Sequence, residues 1–223
     1  MVNQGLFVRL EVLPGKDAEA EEFLRSALPK VLNEPATTAW FAIRFGRSEY
    51  GIFDVFPDDA GRQTHLAGPV ARGLMERVGV LFKEPRIQKL AVLAAKLPSV
   101  TPAEPVMKGL SLIFKSKRGH EQQVEQFLRD SQPLVQEEPK TTAWFAIHLD
   151  DGDYGIFDVF PDNGGRFAHL TGHVPRELAK HSLSLLGGLP DIDMLTVVSS
   201  KLSSSTAMES SGSSAFVEPG GGV

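Results

Sequence analysis

The chain switches between two hydrophobic periods. From Leu6 to Val12, "LFVRLEV", apolar and polar residues alternate every second position, the period of a strand. Along "PGKDAEAEEFLRSALPKVL", Ala20, Phe23, Leu24, Ala27, Leu28 and Val31 fall at helical spacing, with acidic residues early, where the helix dipole favours them. "TTAWFAIRF" and "YGIFDVFP" are β-branched and aromatic with turn residues between them, which predicts a hairpin. "PDDAGRQTHLAGPVARGLMERVGVLF" predicts one long helix, capped by Asp58 or Asp59, with Leu66, Val70, Leu74 and Val78 as its apolar stripe. "RIQKLAVLAAKL" closes as a strand. The order βαββαβ is the ferredoxin-like arrangement, two helices over one face of a four-stranded antiparallel sheet.

The same pattern is written twice. "TTAWFAI" occurs at 37–43 and 141–147, and "YGIFDVFPD" at 50–58 and 154–162. An offset of 104 aligns Trp40 with Trp144, Gly5 with Gly109, Arg62 with Arg166 and His65 with His169. Near the end the offset becomes 105, pairing Pro85 with Pro190 and Lys96 with Lys201. The chain is therefore an internal duplication, with each copy of ordinary domain size. The expected segments are a first repeat at 1–97, a stiff Pro-rich linker at 98–106, a second repeat at 107–202 and a disordered Ser/Gly-rich tail at 203–223.

Alternation within the hairpin separates two faces. Phe41, Ile43, Phe45, Phe53 and Val55 form a purely apolar one. Trp40, Arg44, Tyr50, Ile52, Asp54 and Phe56 form a mixed one, with Trp40 opposite Asp54 and Arg44 opposite Tyr50. The expectation is that the apolar face meets the helices and the mixed face stays open. Such an aromatic surface needs a cover, and the second sheet supplies it. The expected fold class is α+β: two tandem ferredoxin-like units closing into an intramolecular dimeric α+β barrel with a polar-lined interior.

Composition narrows the chemistry. A net charge of −5 argues against a nucleic-acid binder. The absence of cysteine removes disulfides, thiolate metal sites and a Cys nucleophile. The N-terminus shows neither a basic region nor a long apolar one, and no run approaches the ~20 apolar residues that span a bilayer. The expectation is a soluble, cytoplasmic protein without a membrane or nucleic-acid partner.

The unit, the tryptophan of "TTAWFAI", the "FDVFPD" strand end and the helix carrying "HLAGPV" or "HLTGHV" resemble the antibiotic-biosynthesis monooxygenase family. The resemblance covers residues 3–97 and 107–202. It implies a small aromatic or enolic molecule and O2 as partners, bound in the barrel and reacting without metal, flavin or other cofactor. It also implies pocket residues of matching type: Trp40, Arg44, Tyr50 and His65 in the first copy, and Trp144, His148, Tyr154 and His169 in the second. The first copy, richer in titratable types, is the expected catalytic half, and the second the substrate-binding one. No Asn lies on the inward hairpin face, and Asn3 is matched only by Met107, which counts against haem chemistry.

Each candidate also has a structural reading. Trp40 and Trp144 could simply seal the sheets. Asp54 and Asp158 are mid-strand carboxylates that need partners, either as an ion pair or as a general base made more basic by burial. His65 and His169 stand beside the apolar stripe, as flank histidines or as pocket caps. His169 and His173 have metal-ligand spacing, but no nearby carboxylate pattern supports a metal. The competing function is a non-enzymatic small-molecule-binding or stress-associated module. A further homodimer stays open.

Overall fold

A computed structural model describes residues 2–204. The first repeat contains β1 (Gln4–Glu11), α1 (Asp17–Leu32), β2 (Ala39–Gly46), β3 (Glu49–Phe56), α2 (Asp59–Leu66), α3 (Pro69–Met75) and β4 (Arg86–Lys96). The second contains β5 (Lys108–Phe114), α4 (Glu121–Asp130), α5 (Gln132–Gln136), β6 (Ala143–Leu149), β7 (Tyr154–Phe160), α6 (Asn163–Leu170), α7 (His173–Leu185) and β8 (Asp191–Leu202). Most of the segment expected as a tail, from residue 205 on, lies outside the described residues. Among the described residues no helix is long and apolar enough to cross a membrane.

The eight strands close into one barrel in the order β1-β3-β2-β8-β5-β7-β6-β4, every neighbouring pair antiparallel. Each repeat forms a 4-1-3-2 ferredoxin-like sheet, and the two sheets join along the seams β2–β8 and β4–β6. Closure removes the exposed edges that each sheet would otherwise present. Within the hairpins the expected register is present: Trp40 pairs with Asp54 and Arg44 with Tyr50, and the second copy repeats this as Trp144 with Asp158 and His148 with Tyr154.

The faces are the reverse of the sequence expectation. Phe41, Ile43, Phe53 and Val55 point into the lumen, where they meet Phe145, Ile147, Phe157 and Val159 from the other repeat. Trp40, Ala42, Tyr50 and Ile52 lie beneath the helices, in a core with Leu24, Val31, Val70 and Leu74. Trp144, Tyr154 and Ile156 do the same in the second repeat. The expected polar-lined barrel interior is therefore replaced by a packed phenylalanine core, and Trp40, Tyr50, Trp144 and Tyr154 line no lumen. The physical reason is hydrogen-bonding capacity. Inside a closed barrel the strand backbones bond one another, so a buried polar side chain finds no partner there. The helix layer brings polar side chains of its own, Glu21 for Tyr50 and His65 for Asp54, and has edges open to water.

The long second helix is also divided. In the first repeat it breaks at Gly68–Pro69 into α2 and α3, with Pro69 in the first turn, where its missing N–H costs nothing. Asp58 caps α2 by accepting from the Gly61 amide at 2.8 Å, and Asp162 caps α6 from Gly165 at 2.7 Å.

Candidate functional site

Beneath α2 the structure assembles three ionisable side chains from three elements. Asp54 comes from the middle of β3, His65 from α2, and Glu34 from the turn after α1. His65 Nδ1 lies 2.6 Å from Glu34 Oε2, and its Nε2 lies 3.3 Å from Asp54 Oδ2. The second repeat rebuilds the set: His169 Nδ1 is 2.6 Å from Glu138 Oε2, and its Nε2 is 3.0 Å from Asp158 Oδ2. Thr37 Oγ1 donates to Glu34 Oε2 at 2.8 Å, and Thr141 Oγ1 to Glu138 Oε2 at 2.6 Å.

Local chain geometry makes room for this. A Cβ on Gly68 would meet the His65 carbonyl at 2.9 Å and Glu34 Oε1 at 3.3 Å, so the helix break passes directly over the glutamate. Arg62 holds α2 on the sheet by donating to the carbonyls of Gly5 and Leu90, each at 3.4 Å. Arg166 does the same for α6 through Gly109 and Leu195.

Each site is also braced by the other repeat. Lys201, at the end of β8, donates to the carbonyls of Val31 and Glu34 at 3.0 and 2.6 Å. Lys96, at the end of β4, donates to Val135 and Glu138 at 2.9 and 2.6 Å. These lysines cap the carbonyl-rich helix ends from across the seams.

The electrostatics follow from burial. Asp54 is 1% exposed, and removal from water pushes its carboxyl up, against the pull of His65. Burial opposes a charge on His65, but Asp54 and Glu34 on its two sides outweigh it and raise the imidazole to about 10. Burial works against Glu34 too, yet the bond from His65 brings its carboxyl below the usual range. Asp158, His169 and Glu138 shift in the same directions for the same reasons, with His169 again at about 10. A proton is therefore held between Asp54 and His65 through neutral pH. His65 Nε2 sits on Asp54 Oδ2, and Asp54 Oδ1 has no hydrogen-bond partner among the described residues.

Those oxygens face a pocket. A cavity of about 220 Å³ lies between the sheet and α2–α3, walled by Leu6, Val8, Ile52, Val70, Leu74 and Ile87, with Asp54 and His65 as its polar groups. Of the residues expected to form one catalytic cluster, the structure brings Asp54 and His65 together here. Trp40 is fully buried in the helix-side core and is not among the pocket's walls. Arg44 and Tyr50 gather elsewhere, around Glu21 of α1, each 3.4 Å from Glu21 Oε2. In the second copy His148 stacks on Tyr154 at 4.4 Å beside Glu125, apart from Asp158 and His169. His173 is exposed at the start of α7, whereas His169 points inward from α6, so the two do not share a helix face. Among the described residues no group of three or more His, Asp or Glu side chains is placed to hold a metal ion.

Glu34 and Glu138 are the functional candidates that sequence reasoning missed. The signal was present as "EPATTAW" and "EPKTTAW", which keep Glu-Pro at the repeat offset just before the tryptophan strand.

No family model matches the sequence, and no curated protein matches it. Solved structures match it in fold. A candidate monooxygenase of Fusobacterium nucleatum aligns with a TM-score of 0.76 at 12% identity, over 90% of this chain and 94% of its own. One from Lactobacillus acidophilus aligns at 0.75 and 10% identity, over 92% and 98%. A Listeria monocytogenes ferredoxin-fold protein related to antibiotic biosynthesis monooxygenases aligns at 0.51 and 8%, over 88% and 95%. With its closed eight-stranded barrel built from two βαββαβ repeats, the chain has the dimeric α+β barrel fold of these monooxygenase-like proteins, both halves carried in one polypeptide.

Proposed function

We propose that this protein is a cofactor-independent monooxygenase that oxidises a small phenolic, quinol or enolic molecule with O2 in the pocket beneath α2 and α3. The observation that carries this reading is Asp54: a fully buried carboxyl with raised basicity, His65 on one oxygen, no hydrogen-bond partner on the other, and an apolar cavity in front of it. A general base is most effective when its proton affinity lies near the working pH, and burial moves Asp54 in that direction.

The step assigned to these residues is proton removal. Asp54 takes a proton from the substrate and leaves a phenolate or enolate, whose electron pair is delocalised onto a ring or α-carbon. His65, held positive between Asp54 and Glu34, stabilises that anion electrostatically. The anion gives one electron to O2, the resulting radical pair joins as a C–O bond, and the peroxide is protonated. Loss of water leaves a carbonyl, so a CH2 group plus O2 becomes C=O plus H2O.

A second reading, a non-enzymatic small-molecule-binding module, is favoured by the filled lumen, where Phe53 and Phe157 stack at 3.9 Å. Oxygen uptake with a panel of one-ring phenols, quinols and enols separates the two. The catalytic reading expects uptake by the wild type, reduced at least a hundredfold in Asp54→Asn and lowered in His65→Gln. Uptake unaffected by either substitution, or ligand binding without uptake across the panel, favours the second reading.

A further inference from the structure

The pocket is polar at one end only. Leu6 pairs with Asp54 across β1 and β3, and this row, with His65 above it, forms the deep end. Two residues along the strand, about 7 Å away, Val8 pairs with Ile52 and with Ile87 in an apolar row. Above that row stand Val70, Leu74 and Met75 of α3. Asp54 is 1% exposed, whereas Ile87 and Met75 are 42% and 48% exposed, so the cavity meets water between those two.

From this arrangement we infer that the occupant is a one-ring molecule with a single hydroxyl and an apolar tail opposite it, an alkylphenol in shape. It sits hydroxyl-down on Asp54, with its tail leaving between Met75 and Ile87. This inference rests on the site assigned above and narrows its substrate class. The volume of about 220 Å³ suits one ring and a few carbons, since ~150 Å³ already holds benzene. Asp54 Oδ1, which has no partner among the described residues, asks for a donor. His65 beside the carboxyl supplies positive charge and so disfavours an ammonium group. A second hydroxyl in the para position would land among Val70, Leu74 and Ile87 without a partner. That penalty weakens binding on the order of tenfold or more.

Calorimetric titration of the full chain with phenol, 4-methylphenol, 4-propylphenol, hydroquinone and benzylamine tests this. The expected result is tightening of roughly two- to fourfold per added methylene. Hydroquinone should bind about tenfold weaker or worse than the similarly sized 4-methylphenol, and benzylamine no better than hydroquinone. Asp54→Asn addresses the hydroxyl. Because that buried change risks unfolding, Ile87→Glu at the exposed rim is the second variant, and it should abolish the chain-length dependence. Three results overturn the inference: hydroquinone or benzylamine binding as tightly as 4-methylphenol, chain-length dependence surviving Ile87→Glu, or no phenol binding at all. Alkylphenol binding without oxygen uptake would sink the oxidation reading alone. Hydroquinone oxidation without alkylphenol binding would sink this inference alone.

Discussion

Phe53 and Phe157, the same position in the two repeats, stack face to face in the barrel lumen with centroids 3.9 Å apart and planes 12° from parallel. Each ring also packs against the partner repeat's hairpin: Phe53 on Phe145 at 5.4 Å, and Phe157 on Phe41 at 5.6 Å. The stack therefore belongs to the junction of the two copies. Phe53→Ala or Phe157→Ala should each cost about 3–5 kcal/mol. The double variant should cost less than the sum, because the rings share one contact. Denaturant unfolding of the three variants measures this.

The lumen has a polar irregularity at Ser111. Ser111 takes the place of Phe7 in the second repeat, is 1% exposed, and its hydroxyl has no partner among the described residues. It lies opposite Phe157 on β7. Phe7 already packs on Phe53 at 5.9 Å and Phe157 at 6.4 Å, which leaves little room for a second such ring. Ser111→Ala should be neutral or stabilising by up to about 1 kcal/mol, whereas Ser111→Phe should cost about 1–3 kcal/mol through overpacking. Thermal unfolding distinguishes the two signs.

The lysines that reach across the seams make each repeat part of the other's site. Replacing Lys201 with Met takes the charged donor from the Val31 and Glu34 carbonyls, which keep only the backbone amides of Glu34 and Thr37. The expected cost is about 1–3 kcal/mol, with Lys201→Arg closer to wild type. Hydrogen exchange should then quicken at the C-terminal end of α1 in the Met variant and stay unchanged in α4, whose repeat is served by Lys96.

The histidines predict a pH dependence. His65 and His169 are raised from an ordinary 6.5 to about 10 in the folded protein. A raised base stabilises the fold fully below its unfolded value and loses that contribution as pH climbs through the folded one. Stability should therefore fall between about pH 6.5 and 10, with a slope approaching ~1.4 kcal/mol per pH unit for each histidine. The raised carboxyls of Asp54 and Asp158 act in the same direction. A His65→Gln, His169→Gln double variant removes the imidazoles together with their pull on Asp54 and Asp158, and its curve should be flatter over that window.

Much of the fold was legible in the sequence. The repeat offset, the βαββαβ order and the pairing of Trp40 with Asp54 follow from identities, periodicity and hairpin length. The alternation of "LFVRLEV" was also legible as a strand, and it does place Val8, Leu10 and Val12 under the helices and Phe7 in the lumen. The facing of the hairpin was not. Residues 39–43 are buried on both sides of the strand, so alternation gives two apolar-rich faces and no exposed one to mark the outside. The polar residues of the mixed face suggested an open surface, when in fact Arg44 and Tyr50 meet Glu21, and Asp54 meets His65, from the helix layer. Glu34 shows why: it stands outside every periodic segment, and only folding the turn after α1 onto α2 brings it to His65.

A reactive pocket between the helices and the sheet, rather than inside the barrel, can be checked by methyl-resolved NMR during titration with 4-methylphenol. Shifts are expected at Val8, Ile52, Val70 and Leu74, which surround Asp54, and silence at Ile43, Val55, Ile147 and Val159 in the lumen. Shifts confined to the lumen methyls would contradict it.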